Sequence, residues 1–255
     1  MERKVIVRAD DLGYSDAVNV GIARTVHNGL INNVGVMVNM PTTMSGLAMI
    51  KDAGVCLGLH TVISAGRPLT NPKLIPSITN PDGTFRHSSD YRAAMAAIHD
   101  FVDLNEVVLE IEAQYQKFVA LVGRQPDYFE GHAVVSDNFV KRLEIVGERH
   151  HLNILRFAAG PDSPRVLFKG KVLHVFMESM GKNYNPYETL KRAALAQYND
   201  GYAMMVCHPG YLDDYLLQHS SLTVPRTQEV AMLTDPQMQE WLERQQIKLI
   251  KYSEV

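Results

Sequence analysis

Four apolar segments of this chain end in side chains that bind metals or transfer protons. Asp10 and Asp11 follow KVIVRA, His60 ends VCLGLH, His132 ends DYFEGH and His208 follows AMMVC. One carboxylate and two imidazoles suit a divalent transition metal with positions left open for water and substrate, and Asp11, His60 and His132 supply that set. Asp10 would then accept a proton from water, and His208 would protonate a leaving group. This combination is typical of a hydrolase that acts on a carbonyl substrate.

The segments that carry these residues are predicted to be strands separated by helices. The predicted strands are 4–9, 33–38, 55–60, 127–132, 152–157, 202–208 and 247–252, and the predicted helices are 15–27, 45–53, 105–122, 137–150 and 187–198. Nearly continuous apolar strands that alternate with helices indicate a parallel sheet buried on both faces. With a loop and one further strand in 160–185, we expect an α/β fold with seven or eight largely parallel strands. In a (βα) barrel the carboxyl ends of the strands meet on one face, which would bring the polar side chains together.

The same motifs have simpler structural explanations. A single histidine at a strand end is more often structural than a ligand, and Asp10-Asp11 also suits a solvated turn between a strand and a helix. Adjacent residues of a regular strand point to opposite faces, so both carboxylates serve one site only where the strand gives way to a loop. Gly13 permits such a turn. Residues 61–100, rich in Pro, Gly, Asn and Ser, are predicted to form a long excursion that faces the substrate.

Length and composition exclude several classes of protein. The 255 residues are 46% hydrophobic and 21% charged with a net charge of −3, which is typical of a folded protein and not of a disordered one. About 250 residues is the usual size of one (βα) barrel, so we predict a single domain over 1–255. The 25 basic residues do not outnumber the 28 acidic ones, which disfavours a nucleic-acid partner.

The cysteines and apolar segments of the chain predict its cellular compartment. Cys56 and Cys207 are too few for a disulfide framework. The sequence contains no signal-peptide pattern at its start and no apolar run of the length that a membrane span needs. We therefore expect a cytoplasmic protein without a membrane partner, and a homodimer stays open.

The motifs resemble those of the YdjC/ChbG family of carbohydrate deacetylases along essentially the whole chain. The resemblance rests on RADDLGYSDAVNVGI at 8–22, GLH at 58–60, GH at 131–132, HPGY at 208–211 and the segment Arg226-x-x-Glu229. It implies an irregular (βα) barrel related to the polysaccharide deacetylases. The implied activity is removal of acetyl groups from N-acetylated sugars such as chitooligosaccharides, in carbohydrate degradation.

The resemblance also implies a role for each of the five polar residues. Asp11, His60 and His132 would bind one divalent cation, Asp10 would be the general base and His208 the general acid. The family is associated with Mg²⁺, whereas two imidazoles favour Zn²⁺ or another transition ion. Both cations are therefore retained as candidates.

The chain departs from the family pattern beside these residues. The family often has a stretch similar to DSHHHVH where this chain has EGHAVVS at 130–136, and LTLT-type residues where it has TVIS at 61–64. Because these changes flank the predicted ligands, they affect the choice of sugar more than metal binding. Tyr14 and Tyr211 either stack on a sugar ring or are ordinary aromatic residues of the loops. Arg226 either orients Asp10 or pairs with Glu229.

Two other functions fit the same residues. One is a different metal-dependent hydrolase, such as a phosphoesterase or a cyclic-amide hydrolase. The other is a non-catalytic protein that keeps the fold and binds a small oligosaccharide.

Overall fold

The structure is a computed structural model that describes residues 3–134, 136–158 and 164–255. The strands in these residues are β1 (Arg3–Leu12), β2 (Asn33–Val36), β3 (Cys56–Thr61), β4 (Tyr128–Gly131), β5 (Arg156–Ala158), β6 (Arg165–Phe168), β7 (Lys171–Phe176), β8 (Gly201–Cys207) and β9 (Ile247–Leu249). The helices are α1 (Asp16–His27), α2 (Thr43–Met49), α3 (Ser88–Ala96), α4 (Leu104–Val122), α5 (Asp137–Arg149), α6 (Pro186–Leu195), α7 (Asp214–His219), α8 (Val224–Leu233) and α9 (Pro236–Arg244). The predicted loop within 160–185 lies partly outside the described residues.

The chain forms two compact units. The first comprises Met1–Val36, Pro41–Leu57 and Leu155–Val255, and the second comprises Met37–Met40 and Gly58–Ile154. Each unit carries part of the predicted set of polar residues.

The first unit is built around β1, whose side chains from Val5 onwards are buried. β1 pairs in parallel with β2, β8 and β9, and β7 extends the sheet in parallel on β8. β5 and β6 follow as antiparallel strands. A strand of a parallel sheet that is buried on both faces is expected to be mainly apolar, and Val5, Ile6 and Val7 of β1 are fully buried.

The second unit joins β3 and β4 in parallel and includes α3, α4 and α5. The pairing register places His60 opposite Glu130 and Thr61 opposite Gly131. α4 packs against α5, with Val107, Ile111 and Phe118 fully buried. These apolar side chains of α4 are therefore part of the core.

Several predicted elements differ from those in the structure. The excursion at 61–100 contains a short 3₁₀ helix at Pro72–Leu74 and the helix α3, and part of its backbone is bound by α4. The buried carboxylate of Glu110 accepts hydrogen bonds from the N–H groups of Leu69 at 3.1 Å and Thr70 at 2.8 Å. Two strands, β6 and β7, stand where one was predicted, since they form a hairpin whose pairing the apolar pattern does not reveal.

The structure also shows that none of its described helices has the length and apolar character needed to cross a membrane.

Candidate active site

The two aspartates lie at a backbone irregularity near the end of β1. The pairing of β1 with β2 shifts register between Ala9 and Leu12, and Asp11 has a φ of 76°, in the left-handed region that is uncommon for residues other than glycine. Such irregularities redirect side chains and are frequent beside active sites. The regular alternation of side chains along the strand is therefore interrupted between Asp10 and Asp11. An interruption of this kind is what the sequence analysis required for both carboxylates to serve one site.

Each aspartate is buried and bound by an arginine. Asp10 and Asp11 are both 1% exposed. Nη2 of Arg8 donates to Oδ2 of Asp10 at 2.6 Å, and Nη2 of Arg226 donates to Oδ2 of Asp11 at 2.7 Å. Arg8 and Asp10 are two residues apart on one strand, so they share a face of the sheet. The predicted orienting contact of Arg226 therefore reaches Asp11, and Arg8, which the sequence reasoning overlooked, holds Asp10.

His208 directly follows β8, next to the strand that carries the aspartates. Nη1 of Arg226 donates to the carbonyl oxygen of His208 at 3.3 Å, so one guanidinium contacts both Asp11 and the backbone of His208. Glu229, fully buried on α8, accepts a hydrogen bond from the N–H of His208 at 2.6 Å. The predicted partners Arg226 and Glu229 are thus both directed at the residue predicted to be the general acid.

Burial perturbs the pKa of the Glu229 carboxyl group. Desolvation by burial raises the pKa of Glu229 to about 7, although hydrogen bonds from Tyr184 and from the backbone of His208 oppose the shift. The Tyr184 hydroxyl donates to Oε1 of Glu229 at 2.7 Å. Burial, followed by the charge of Glu229, raises the pKa of this hydroxyl far above its usual value, so Tyr184 keeps its proton and acts as a donor. Perturbed groups of this kind concentrate at functional sites.

The second unit holds the two remaining histidines. Nε2 of His60 lies 3.0 Å from Nδ1 of His132. The other ring nitrogen of His60, Nδ1, is hydrogen-bonded to the carboxylate of Glu130, which stands opposite His60 in the strand register. The backbone N–H of His132 donates to the carbonyl of Thr61 at 2.8 Å. Strand pairing and this hydrogen bond together place the two rings side by side.

The two histidines have the chemistry of a pair of metal ligands. A carboxylate on one imidazole nitrogen favours the tautomer that leaves the other nitrogen free to bind a cation, and metal-binding histidines are commonly held in this way. Nε2 of His60 and Nδ1 of His132 are close enough to bind the same ion. Sequence reasoning missed Glu130. The available signal was the spacing of Glu130 and His132, which places both on the same side of a strand.

The two predicted sugar-stacking tyrosines lie in the first unit. Tyr14 is only 5% exposed, and its hydroxyl donates to the carbonyl of His219 at 3.1 Å. The guanidinium of Arg226 lies 5.6 Å from the centre of the Tyr14 ring. Tyr211 is partly exposed, and its hydroxyl accepts from Arg24 at 3.0 Å. Contact of either ring with a sugar stays a prediction.

Comparison with protein families gives a match over most of the chain. Residues 4–244 match the family described as YdjC-like protein. A carbohydrate deacetylase of Geobacillus stearothermophilus is 31% identical over 100% of this chain and 98% of the relative. A carbohydrate deacetylase of Clostridium beijerinckii is 27% identical over 99% of this chain and 100% of the relative.

Solved structures show the same fold. An Enterococcus faecalis protein described as a candidate cellobiose-phosphate cleavage protein has a TM-score of 0.81 at 22% identity, covering 100% of this chain and 99% of the other. The Xyl-CE4 domain of a multidomain xylanase from the hindgut metagenome of Trinervitermes trinervoides has a TM-score of 0.53 at 13% identity, with 100% and 89% coverage. These likenesses confirm the predicted fold class.

Proposed function

The chain belongs to the YdjC-like protein family, and from this premise we propose that it is a hydrolase that removes the acetyl group from an N-acetylated sugar. Relatives that match it from end to end are named carbohydrate deacetylases. The observation that carries the proposal is the chemistry of the motif residues. In the first unit Arg8 binds the buried carboxylate of Asp10, and Arg226 binds both the buried carboxylate of Asp11 and the backbone carbonyl of His208. In the second unit the two histidine rings lie side by side.

We propose that Asp11, His60 and His132 bind one divalent cation, Mg²⁺ or Zn²⁺. These residues are a candidate ligand group among the described residues, and one carboxylate with two imidazoles favours a transition ion such as Zn²⁺. A bound divalent cation lowers the pKa of water toward neutrality and polarises a carbonyl oxygen. Because carbohydrate deacetylases match the chain over nearly its whole length, we propose that residues 1–255 act as a single catalytic domain.

The remaining residues transfer protons. Asp10, held by Arg8, accepts a proton from the attacking water as its oxygen bonds to the amide carbon. His208 gives a proton to the sugar nitrogen as the carbon–nitrogen bond breaks, so that the products are acetate and an amino sugar. Arg226 keeps Asp11 and the backbone of His208 in a fixed relation, which supports general acid catalysis because the acid must lie within hydrogen-bond reach of the leaving nitrogen.

The substrate proposed is a small, uncharged N-acetylated oligosaccharide. The resemblance of the motifs points to chitooligosaccharides, and the near-neutral chain offers no large basic excess for a polyanion. Tyr211, partly exposed two residues after Pro209, is the tyrosine with the better access to a sugar ring. Tyr14 is nearly buried, so only the edge of the tyrosine ring would contact a sugar.

The test is release of acetate from N-acetylglucosamine oligomers by protein loaded with Zn²⁺ or Mg²⁺, with phosphate release from p-nitrophenyl phosphate measured in parallel. We expect acetate and no phosphate. Asp10→Asn and His208→Asn should each lower kcat at least a hundredfold while the metal content by elemental analysis stays the same. Exposed Asp52→Asn and His99→Asn are the matched controls. Phosphate release alone, or sugar binding without turnover at any divalent metal, would replace the proposal with one of the two other functions.

A separate experiment tests the ligands. Asp11→Ala and His60→Ala are each expected to abolish stoichiometric metal binding in titration calorimetry. Metal retained in both variants would overturn the assignment of these ligands and leave the proposed reaction to be judged by acetate release.

A further inference from the structure

Two side chains of helix α8 bind the backbone N–H and the backbone carbonyl of His208. Glu229 accepts from the N–H of His208 at 2.6 Å, and Arg226 donates to its carbonyl at 3.3 Å. The two side chains are three residues apart on α8 and therefore lie on the same face of the helix. Both side chains thus bind the backbone of His208, and each also has one side-chain partner, Asp11 for Arg226 and Tyr184 for Glu229.

The position of His208 explains why its backbone needs such partners. The parallel pairing of β1 with β8 ends at Cys207, opposite Ala9, so His208 is the first residue beyond the ladder. At this position the side chain of Glu229 accepts the hydrogen bond of the N–H of His208. A buried polar group without a hydrogen bond would cost a folded protein free energy.

The backbone of Gly210 and Tyr211, which follow His208, is also hydrogen-bonded to neighbouring helices. The N–H of Gly210 donates to the carbonyl of Arg226 at 3.4 Å, and the N–H of Tyr211 donates to the carbonyl of Ala17 on α1 at 3.0 Å. A side-chain Cβ at Gly21 on α1 would come within 2.5 Å of Cα of Gly210. The segment from His208 to Tyr211 therefore has α8 on one side and α1 on the other.

The carboxylate of Glu229 binds the N–H of His208 at a high cost in desolvation free energy. It is fully buried, and burying a carboxylate is unfavourable unless it is well hydrogen-bonded. The second oxygen of Glu229 is bound by the Tyr184 hydroxyl at 2.7 Å. A neutral acceptor would bind the N–H with a smaller loss of solvation free energy. The buried carboxylate and its tyrosine therefore indicate that they hold the backbone of His208 in one position.

We propose that Glu229, oriented by Tyr184, is a positioning residue that fixes the backbone of His208 and thereby the location of its imidazole. This inference rests on the proposed function only where it concerns catalysis, because the geometry of His208 can be measured without turnover. Neither Glu229 nor Tyr184 needs to touch the substrate. Displacement of a catalytic group by about 1 Å costs about a hundredfold in rate, which sets the effect expected when the support is lost.

The variants are chosen to separate position from stability. Tyr184→Phe removes only the hydroxyl, and Glu229→Leu removes the carboxylate. Glu229→Gln keeps an oxygen for the N–H of His208 and an amide N–H for the Tyr184 hydroxyl, so it is the conservative rescue. Tyr187→Phe, in the same segment as Tyr184, is the matched control.

Two readouts are made on the metal-loaded full-length protein. In steady-state kinetics we expect Tyr184→Phe and Glu229→Leu to lower kcat tenfold to a hundredfold with KM unchanged within about twofold. Glu229→Gln should keep kcat within about threefold of the parent. In NMR spectra of protein labelled with ¹⁵N-histidine, the ring resonances of His208, identified by their loss in His208→Asn, should shift in the first two variants and return in Glu229→Gln.

The outcomes distinguish this inference from the proposed function. Folded Tyr184→Phe and Glu229→Leu with unchanged His208 ring resonances would overturn the positioning role. Moved ring resonances without any deacetylation by the parent protein would support the positioning role and refute the proposed function. If Glu229→Leu does not fold, Tyr184→Phe decides, since it removes one oxygen atom and keeps the ring.

Discussion

The buried carboxylate of Glu229 makes the stability of this protein depend on pH. Its pKa is raised from 4.5 to about 7, so between these values the folded protein binds a proton that the unfolded chain releases. The free energy of unfolding therefore falls as the pH rises from about 4.5 to about 7, and the effect of this group is constant above that range. Below 4.5 both states are protonated and the full contribution is present.

The size of the effect follows from the same two values. One pKa unit corresponds to about 1.4 kcal/mol, so the difference between 4.5 and about 7 amounts to about 3 kcal/mol. Glu229→Gln removes the titration but keeps the size of the side chain and its ability to form both hydrogen bonds. The stability of Glu229→Gln relative to the parent should therefore rise by up to about 3 kcal/mol between pH 4.5 and pH 7.

The assay is urea denaturation followed by circular dichroism at half-unit steps from pH 4.5 to pH 8.5. A chelator is present throughout, so that a cation near Asp11 does not alter the charge around Glu229. Titrations shared by both proteins cancel in the comparison, and Glu243→Gln, an exposed carboxylate on α9, serves as the control. A difference between parent and Glu229→Gln that stays constant with pH, or that changes in the opposite direction, would refute the reasoning.

Three further predictions concern the supports of the site. Glu130→Ala should weaken metal binding tenfold to a hundredfold in titration calorimetry, because metal-binding histidines depend on such carboxylate partners; unchanged affinity would contradict the role of Glu130. Arg226→Met breaks a buried ion pair with Asp11 and should lower the free energy of urea unfolding by about 3–5 kcal/mol, so an unaltered midpoint would count against it. Gly21→Ala should destabilise by about 1–3 kcal/mol in thermal denaturation, since its Cβ would meet Cα of Gly210 at 2.5 Å, and an equal melting temperature would show that the helix adjusts freely.

Local patterns were sufficient for much of the fold. The run KVIVRA predicted β1, and the helix predicted over 15–27 is α1, which Ser15 caps by accepting a hydrogen bond from the N–H of Val18 at 3.3 Å. The helix predicted over 105–122 is α4, and its residues Val107, Ile111 and Phe118, which recur at helical spacing, are buried. These elements are determined by residues close together in the chain, where side-chain periodicity and capping act directly.

Elements that depend on pairing with distant segments were predicted less well. The hairpin of β6 and β7 was expected as one strand, and α3 was hidden in a segment rich in proline and glycine. The predicted strand at 247–252 is shorter in the structure, where β9 ends at Leu249 because only three of its residues pair with β1. Pairing partners and register are not encoded in the periodicity of one segment.

The sequence by itself determined which chemical groups are available, since Asp10, Asp11, His60, His132 and His208 follow or end apolar segments that could be identified as strands. Tertiary structure decided which groups hold them. Arg8 binds Asp10, Arg226 binds Asp11, Glu130 binds His60, and Glu229 with Tyr184 binds the backbone of His208. The physical reason is that a catalytic residue type is recognisable at its own position. A supporting contact, in contrast, depends on backbone geometry, strand register and helix packing that join residues far apart in the chain.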